Sequence, residues 1–342
     1  MKIVINSAEL VGNDIWFVPY MTNKLVSLDI HSGDAQIRTE IEMLDPIDEN
    51  IVLSIEKWNN SIFILPKLGQ EIYEYNVVSN KLSVIKISEP SSNEKNNEIY
   101  SSLIAVEDKL YVLGYNCPKI VIINLRTHIV SSVEVFDNIL SYENSKGIFG
   151  KQSFIYNGVL YIPFAAMDGW MELNIENNQF NKVILSDNNE GYSALIIKNN
   201  ILYAAPRFEG SLLRYDLVNG KYEKKRVNNH PIRSFSAISD EDEIVLYKDE
   251  IPFNTNIQKW KDMFIKYENY YFVKVRHGYK IMLNTDGILE INSDNDYFLD
   301  INEVMKDTSL QKELNCQKLG SENLVIEGKI LLLSDYIERL IY

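Results

Sequence analysis

One phrase recurs five times in this 342-residue chain: a turn, an aliphatic-aromatic strand usually ending in Pro, a short variable loop, a strand closing on Asp or Asn, and a second turn. The copies run Asn13–Gly33, Asn60–Asn80, Asp108–Thr127, Gly158–Asn178 and Asn200–Gly220. The residues that punctuate them are Pro19, Pro66, Gly114, Pro163 and Pro206, spaced by 47, 48, 49 and 43 residues. Units of this kind bury their faces only against their neighbours, so they are read together rather than singly.

A period in the forties built from short strands predicts an all-β toroid, a β-propeller with one four-stranded sheet per repeat. A chain of this length would otherwise divide into two domains. The repeat predicts a single domain instead, with blades near 7–47, 48–96, 97–146, 147–188, 189–230, 231–300 and 321–342. The last of these has three strand-like runs and lacks a fourth, which residues 1–6 are expected to supply, closing the ring without a covalent link. That gives seven blades if Ser234–Ile291 is one irregular unit; six or eight fit the same pattern. Within that unit Ile257, Trp260, Met263, Phe264 and Tyr267 share one helical face, predicting a short helical insertion near 256–267.

Within each repeat the link from first to second strand is tight and turn-rich, as in Gly12-Asn13 and Asn157-Gly158, and so is the link from third to fourth, as in Ser32-Gly33 and Asn219-Gly220. Asn and Gly serve there because such turns need positive φ. In an up-and-down sheet both links fall at one end. The second-to-third and fourth-to-first links share the other end, and there the copies diverge in length and content. Variable loops on a repeating scaffold are where binding resides.

Net charge is −14, which disfavours nucleic acid and anionic membrane surfaces as partners. No apolar run reaches the roughly 18 residues of a membrane span, and the N-terminal apolar run is too short for a signal peptide. Cys117 and Cys316 lie far apart, so free thiols and a cytoplasmic location are expected. A monomer is expected too, because a closed ring is read as leaving no unpaired edge.

Chemistry is sparse. Of the four histidines, His31 and His128 fall in turns, while His230 and His277 fall near the variable end and are the two candidates for acid–base work. Asp168 and Glu209, with Glu49, Glu143 and Glu190, are the acids near that end, where 48 acidic residues make chance placement a sufficient explanation. No metal-ligand spacing, nucleophile elbow or phosphate-cradling loop occurs, so neither a metal nor a cofactor is expected. Cations are scarcer. Lys151, Arg207 and Arg233 cluster near the variable loops with Tyr20, Tyr100, Trp170 and Tyr192. Arg forks hold anionic or polar groups and aromatic rings stack on sugars or peptides, though each ring serves equally as packing between blades.

The turn–strand–loop–strand phrase, carried by Ile15-Trp16-Phe17, Asn23, Leu28-Asp29 and Ser32-Gly33, resembles the repeats of YVTN and NHL-type propellers and of the streptogramin-lyase propeller. The resemblance spans about residues 7–220. It departs from Kelch repeats, lacking the Gly-Gly doublet, and from WD40 repeats, lacking Trp-Asp. Such propellers include lyases, lactonases and interaction modules, so the likeness implies a fold and no single chemistry. No position matches the lyase's catalytic histidine motif. The resulting expectation is a binding protein that recognises a small polar ligand or a peptide at the variable end. The alternatives are a lyase or hydrolase at the channel mouth, and a scaffold for a protein partner.

Overall fold

The computed structural model describes residues 5–19, 22–29, 32–41, 52–66, 70–87, 100–136, 147–150, 152–186, 190–207, 210–227, 232–237, 244–249, 264–267, 270–275, 278–283, 298–300, 305–307, 309–310, 313 and 328–333. Five four-stranded antiparallel sheets follow one another in chain order. The first is β1 (Ile5–Val11), β2 (Asp14–Pro19), β3 (Lys24–Asp29) and β4 (Ala35–Glu40). The second is β5 (Val52–Trp58), β6 (Ser61–Pro66), β7 (Glu71–Asn76) and β8 (Lys81–Lys86). The third is β9 (Tyr100–Val106), β10 (Lys109–Gly114), β11 (Lys119–Asn124) and β12 (Val130–Glu134). The fourth is β13 (Phe154–Tyr156), β14 (Val159–Pro163), β15 (Asp168–Asn174) and β16 (Phe180–Ser186). The fifth is β17 (Tyr192–Lys198), β18 (Ile201–Pro206), β19 (Gly210–Asp216) and β20 (Tyr222–Val227).

Each element of the repeated phrase has a structural cause. The Asp or Asn that closes the third strand turns back to cap the following turn: Asp29 Oδ1 accepts from Ser32 N, Asn76 Oδ1 from Ser79 N, Asn124 Oδ1 from Thr127 N, Asn174 Oδ1 from Asn177 N and Asp216 Oδ1 from Asn219 N. The turns then need a left-handed residue, supplied by Gly33, Asn80, His128, Asn178 and Gly220. The two tight links also bond each other. Val77 N donates to Asn60 O, Leu125 N to Asp108 O, Ile175 N to Gly158 O and Leu217 N to Asn200 O. This locked side is the turn end of each sheet.

The Pro that ends the second strand sits opposite a bulge. Ile5 pairs with Pro19, Val52 with Pro66 and Tyr192 with Pro206, and in each case the register shifts before the next pair; Tyr100 opposite Gly114 repeats the geometry. A residue without an N–H is tolerated where the ladder is already interrupted. This side is the loop end.

Two compact units divide the chain: Met1–Ser141 with His277–Lys280 and Leu299–Asn323, and Tyr142–Arg276 with Ile281–Phe298 and Leu324–Tyr342. In the first unit the opening strands of sheets one to three lie side by side. The hydroxyl of Ser7 accepts from Ile55 N at 2.8 Å and that of Ser54 from Leu103 N at 3.1 Å. Small inner-strand residues therefore stitch one sheet to the next. Aliphatic and aromatic faces fill the space between, with Phe63, Leu65 and Ile72 of sheet two against Leu110, Val112 and Val121 of sheet three. In the second unit Leu195, Ile197 and Leu213 of sheet five pack against Tyr161 and Trp170 of sheet four.

After β20 the pattern departs from expectation in two places. The C-terminal strand β27 (Gly328–Leu332) pairs antiparallel with β22 (Ile244–Asp249), Leu332 opposite Val245, and completes a three-stranded sheet opened by β21 (Ile232–Ala237). Gly328–Leu332, within the blade expected at 321–342, therefore belongs to the sheet begun near 232, and the rest of that range lies outside the described residues apart from Leu333. Ile5, assigned by sequence to the closing strand, belongs to the first sheet, while residues 1–4 lie outside the described residues. No Asn-Gly turn follows β22, so its free edge takes a distant strand, a pairing that no local pattern encodes.

The second departure concerns the helix expected near 256–267. Residues 256–263 lie outside the described residues, and Phe264–Tyr267 is a strand, β23, paired with β24 (Tyr270–Val275) through Phe264–Val273 and Tyr267–Tyr270. Phe-Ile-Lys-Tyr is rich in strand formers, and hairpin pairing satisfies its backbone better than an isolated helical turn. With β25 (Gly278–Leu283) and β26 (Phe298–Asp300) these strands form a further four-stranded sheet.

Candidate functional site

The richest polar cluster among the described residues lies at the loop end of sheets four and five. Asp168 opens β15, directly opposite Ser186 at the end of β16, and is fully buried. A carboxylate without water must find donors or neutralise. Asp168 finds three: the Tyr192 hydroxyl at 2.6 Å on Oδ1, and on Oδ2 both the Ser186 hydroxyl and the Lys224 ammonium, the latter at 2.5 Å. Lys224 reaches in from β20, and its ammonium also lies 3.9 Å from the Glu190 carboxylate. Burial, then the hydrogen bond to Asp168 and its charge, push the Tyr192 phenol far above the ordinary tyrosine range. It therefore stays protonated and keeps the proton that it donates to Asp168. Asp168 and Tyr192 form a buried hydrogen-bonded pair, and Lys224, whose ammonium turns in to Asp168, and Glu190 are the partly exposed members of the cluster.

Close backbone approach holds this end together. Tyr192 N donates to Phe164 O, Ala165 N to Ile148 O and Arg207 N to Gly191 O. A Cβ on Gly191 would fall 1.9 Å from Ala165 O, a backbone atom that cannot step aside. Gly191→Ala is expected to cost about 1–3 kcal/mol, read as a lower urea midpoint for the second unit followed by a local probe.

The candidates from sequence are distributed as follows. Tyr100, Trp170 and Tyr192 are all buried. Tyr100 and Tyr192 are the bulge residues of their sheets, equivalent to Val52, and the ring of Tyr100 lies in the core between sheets two and three. Trp170 lies within β15. Its Nε1 donates to Glu172 Oε1 at 3.1 Å, and its ring meets Tyr215 edge-on at 4.8 Å. Arg207 follows β18 beside Gly191. Arg233 lies in β21, whose side chains lie outside the description, as do Tyr20, Lys151, His230 and His277. The structure thus brings Trp170, Tyr192 and Asp168 together in the second unit, while Tyr100 belongs to the core of the first. Lys224 is the residue that sequence reasoning missed. Its one signal is that a buried acid on the neighbouring sheet needs a cation.

A second group sits on the inner strands of the first unit. Burial lifts the Glu9 carboxyl to about 7, against hydrogen bonding from Leu10 N and the charge of Lys57. Burial and then the neighbouring Glu9 charge raise Glu56 well above the usual carboxylate range, while its Oε1 accepts from Ala105 N at 3.1 Å. Among the described residues no group of three or more His, Cys, Asp or Glu is arranged to hold a metal ion, and no helix is long and apolar enough to cross a membrane.

No family model and no curated protein matches this chain. Solved structures do. The computationally designed Ika8 protein is 9% identical with a TM-score of 0.57, the match covering 88% of this chain and 90% of that one. Virginiamycin B lyase from Staphylococcus aureus is 9% identical with a TM-score of 0.59, covering 80% and 94%. The extracellular domain of the BT4673 one-component system from B. thetaiotaomicron is 14% identical with a TM-score of 0.56, covering 85% of this chain and 39% of that one. At such identities the likeness carries the fold alone. Repeated four-stranded antiparallel sheets and these neighbours together show an all-β, propeller-type fold.

Proposed function

We propose that this protein is a propeller-type binding protein that recognises a small polar ligand or a peptide at the loop ends of its sheets. The observation that supports the reading is the contrast between the two ends. Every turn end in sheets one to five is closed by the same Asx-capped turn, whereas the loop ends differ from sheet to sheet and carry the Asp168–Lys224–Glu190 cluster. Lys224 and Glu190 offer one charge of each sign within reach of a zwitterionic or mixed polar group, and Arg207 lies one backbone bond from Gly191. The neighbouring structures fit a binding or scaffold role without favouring a ligand.

The test is a thermal-shift screen of amino acids, sugar phosphates, dicarboxylates and short peptides, followed by calorimetry on any stabilising compound. Affinity is expected to fall at least about 10-fold, or roughly 1.4 kcal/mol, in Lys224→Met and Glu190→Gln. It should be unchanged in Arg126→Ala, which removes an exposed turn-end pair with Asp108. Binding that survives both loop-end changes and is lost in the turn-end variant would place recognition at the opposite end and refute the reading.

A further inference from the structure

The five outer strands of the regular sheets, each unpaired on one side among the described residues, differ in the charges they carry. β4, β8, β16 and β20 each carry at least one Lys or Arg: Arg38, Lys81 and Lys86, Lys182, and Lys224 with Lys225 and Arg226. Such charges deter edge-to-edge pairing. β12 reads Val130-Ser131-Ser132-Val133-Glu134, has no cation, and follows Ile129, which is 67% exposed. Its one charge, Glu134, stands opposite Lys119 of β11.

The hydrogen-bond pattern shows which backbone groups this edge offers. Asn124 N donates to Ile129 O, and Val135 N to Pro118 O, so the odd-numbered residues of this segment bond inward to β11. By alternation Val130, Ser132 and Glu134 direct their N–H and C=O outward. A two-fold axis through Ser131 would set Val130 against Ser132 of a second copy, in pairs that exchange both backbone bonds. It would place Ile129 against Val133, apolar on apolar, and Ser131 against itself. This register is self-complementary and brings no like charges face to face. An unrelated peptide would have no reason to match it.

We infer that β12 is a homodimerisation edge, pairing antiparallel with β12 of a second copy about Ser131. This revises the monomer expected from ring closure, because closing a ring leaves the outer strand of each sheet unpaired on one side. Because each chain carries −14, the association should strengthen with added salt, which screens that repulsion.

Light scattering should show the mass rising from 39.6 kDa toward twice that value between about 10 µM and 1 mM chain. Ser131→Cys offers a direct reading. In this register Ser131 forms a non-hydrogen-bonded pair with Cα atoms about 4.5 Å apart, within disulfide range. Mild oxidation should give a covalent dimer of that variant and none of the wild type or of Ser83→Cys on β8. Val130→Lys, at an exposed position, should return the chain to monomer with an unchanged melting curve, as should Ser132→Pro. A chain that stays monomeric to 1 mM, a Ser131→Cys variant that fails to cross-link, or a dimer that persists in Val130→Lys would each overturn the inference. So would a monomer that takes up unrelated extended peptides along β12.

Discussion

Asp168→Ala is expected to be the most damaging single substitution among the described polar residues, costing about 3–5 kcal/mol. The carboxylate is fully buried and serves three donors at once. Its removal strands the Tyr192 hydroxyl, itself deeply buried, and leaves the Lys224 ammonium without its nearest counter-charge. Tyr192→Phe removes one bond to a charged acceptor and should cost less, about 1.5–3 kcal/mol. In the double variant the losses should be well below additive, since the phenol has no partner once Asp168 is gone. Because two compact units are present, unfolding should be followed by a local probe rather than as one transition. Trp170 lies in the same cluster, and its emission reports this region once Trp16, Trp58 and Trp260 are replaced by Phe. An Asp168→Ala variant that unfolds within 1 kcal/mol of the wild type would show that the cluster is wetter than its geometry implies.

The second large effect is on pH. Glu9 has a folded-state value near 7 against an ordinary value of 4.5, so the folded chain holds a proton that the unfolded chain has released. Below about pH 4.5 both states are protonated and the group imposes no penalty. As pH rises through the window from 4.5 to 7 stability is lost, and above 7 the full loss stands, about 3 kcal/mol for this group. Glu56, raised in the same direction by burial and by Glu9, adds to the trend. The first unit should therefore melt higher at pH 5 than at pH 8. Glu9→Gln and Glu56→Gln should each flatten that dependence and stabilise the protein at pH 8. A melting temperature that climbs from pH 5 to 8 in the wild type, or one equally steep in both variants, would remove the assignment.

The expectation that aromatic residues at the loop ends present faces for stacking meets a specific geometry. Tyr100 and Tyr192 occupy bulge positions whose side chains point into the packing between successive sheets. Trp170 enters a strand because β15 begins at Asp168 rather than after the loop. A sequence reader sees an aromatic residue beside a variable loop and cannot tell which side of a bulge it takes. One added residue in the ladder reverses the face. Asp168 and Glu190 were visible as acids near that end. Their meeting through Lys224 was not, because Lys224 lies 56 residues from Asp168 in an alternating outer strand whose cations look like solvent charge.

The sequence alone determined what is local and periodic. The spacing of Pro19, Pro66, Gly114 and Pro206, the Asp or Asn that closes each third strand, and the Asn and Gly of the turns are set by backbone geometry within about twenty residues. Each could be read without a partner, and each reappears as a bulge, an Asx cap or a left-handed turn. Tertiary structure decided the rest. The pairing of β27 with β22, the strand at Phe264–Tyr267 and the Asp168–Lys224 bond all depend on segments distant in the chain. Their free energy comes from satisfying buried backbone and charge once neighbouring elements are in place. No window of sequence carries that information, because the partner that makes each arrangement favourable lies outside it.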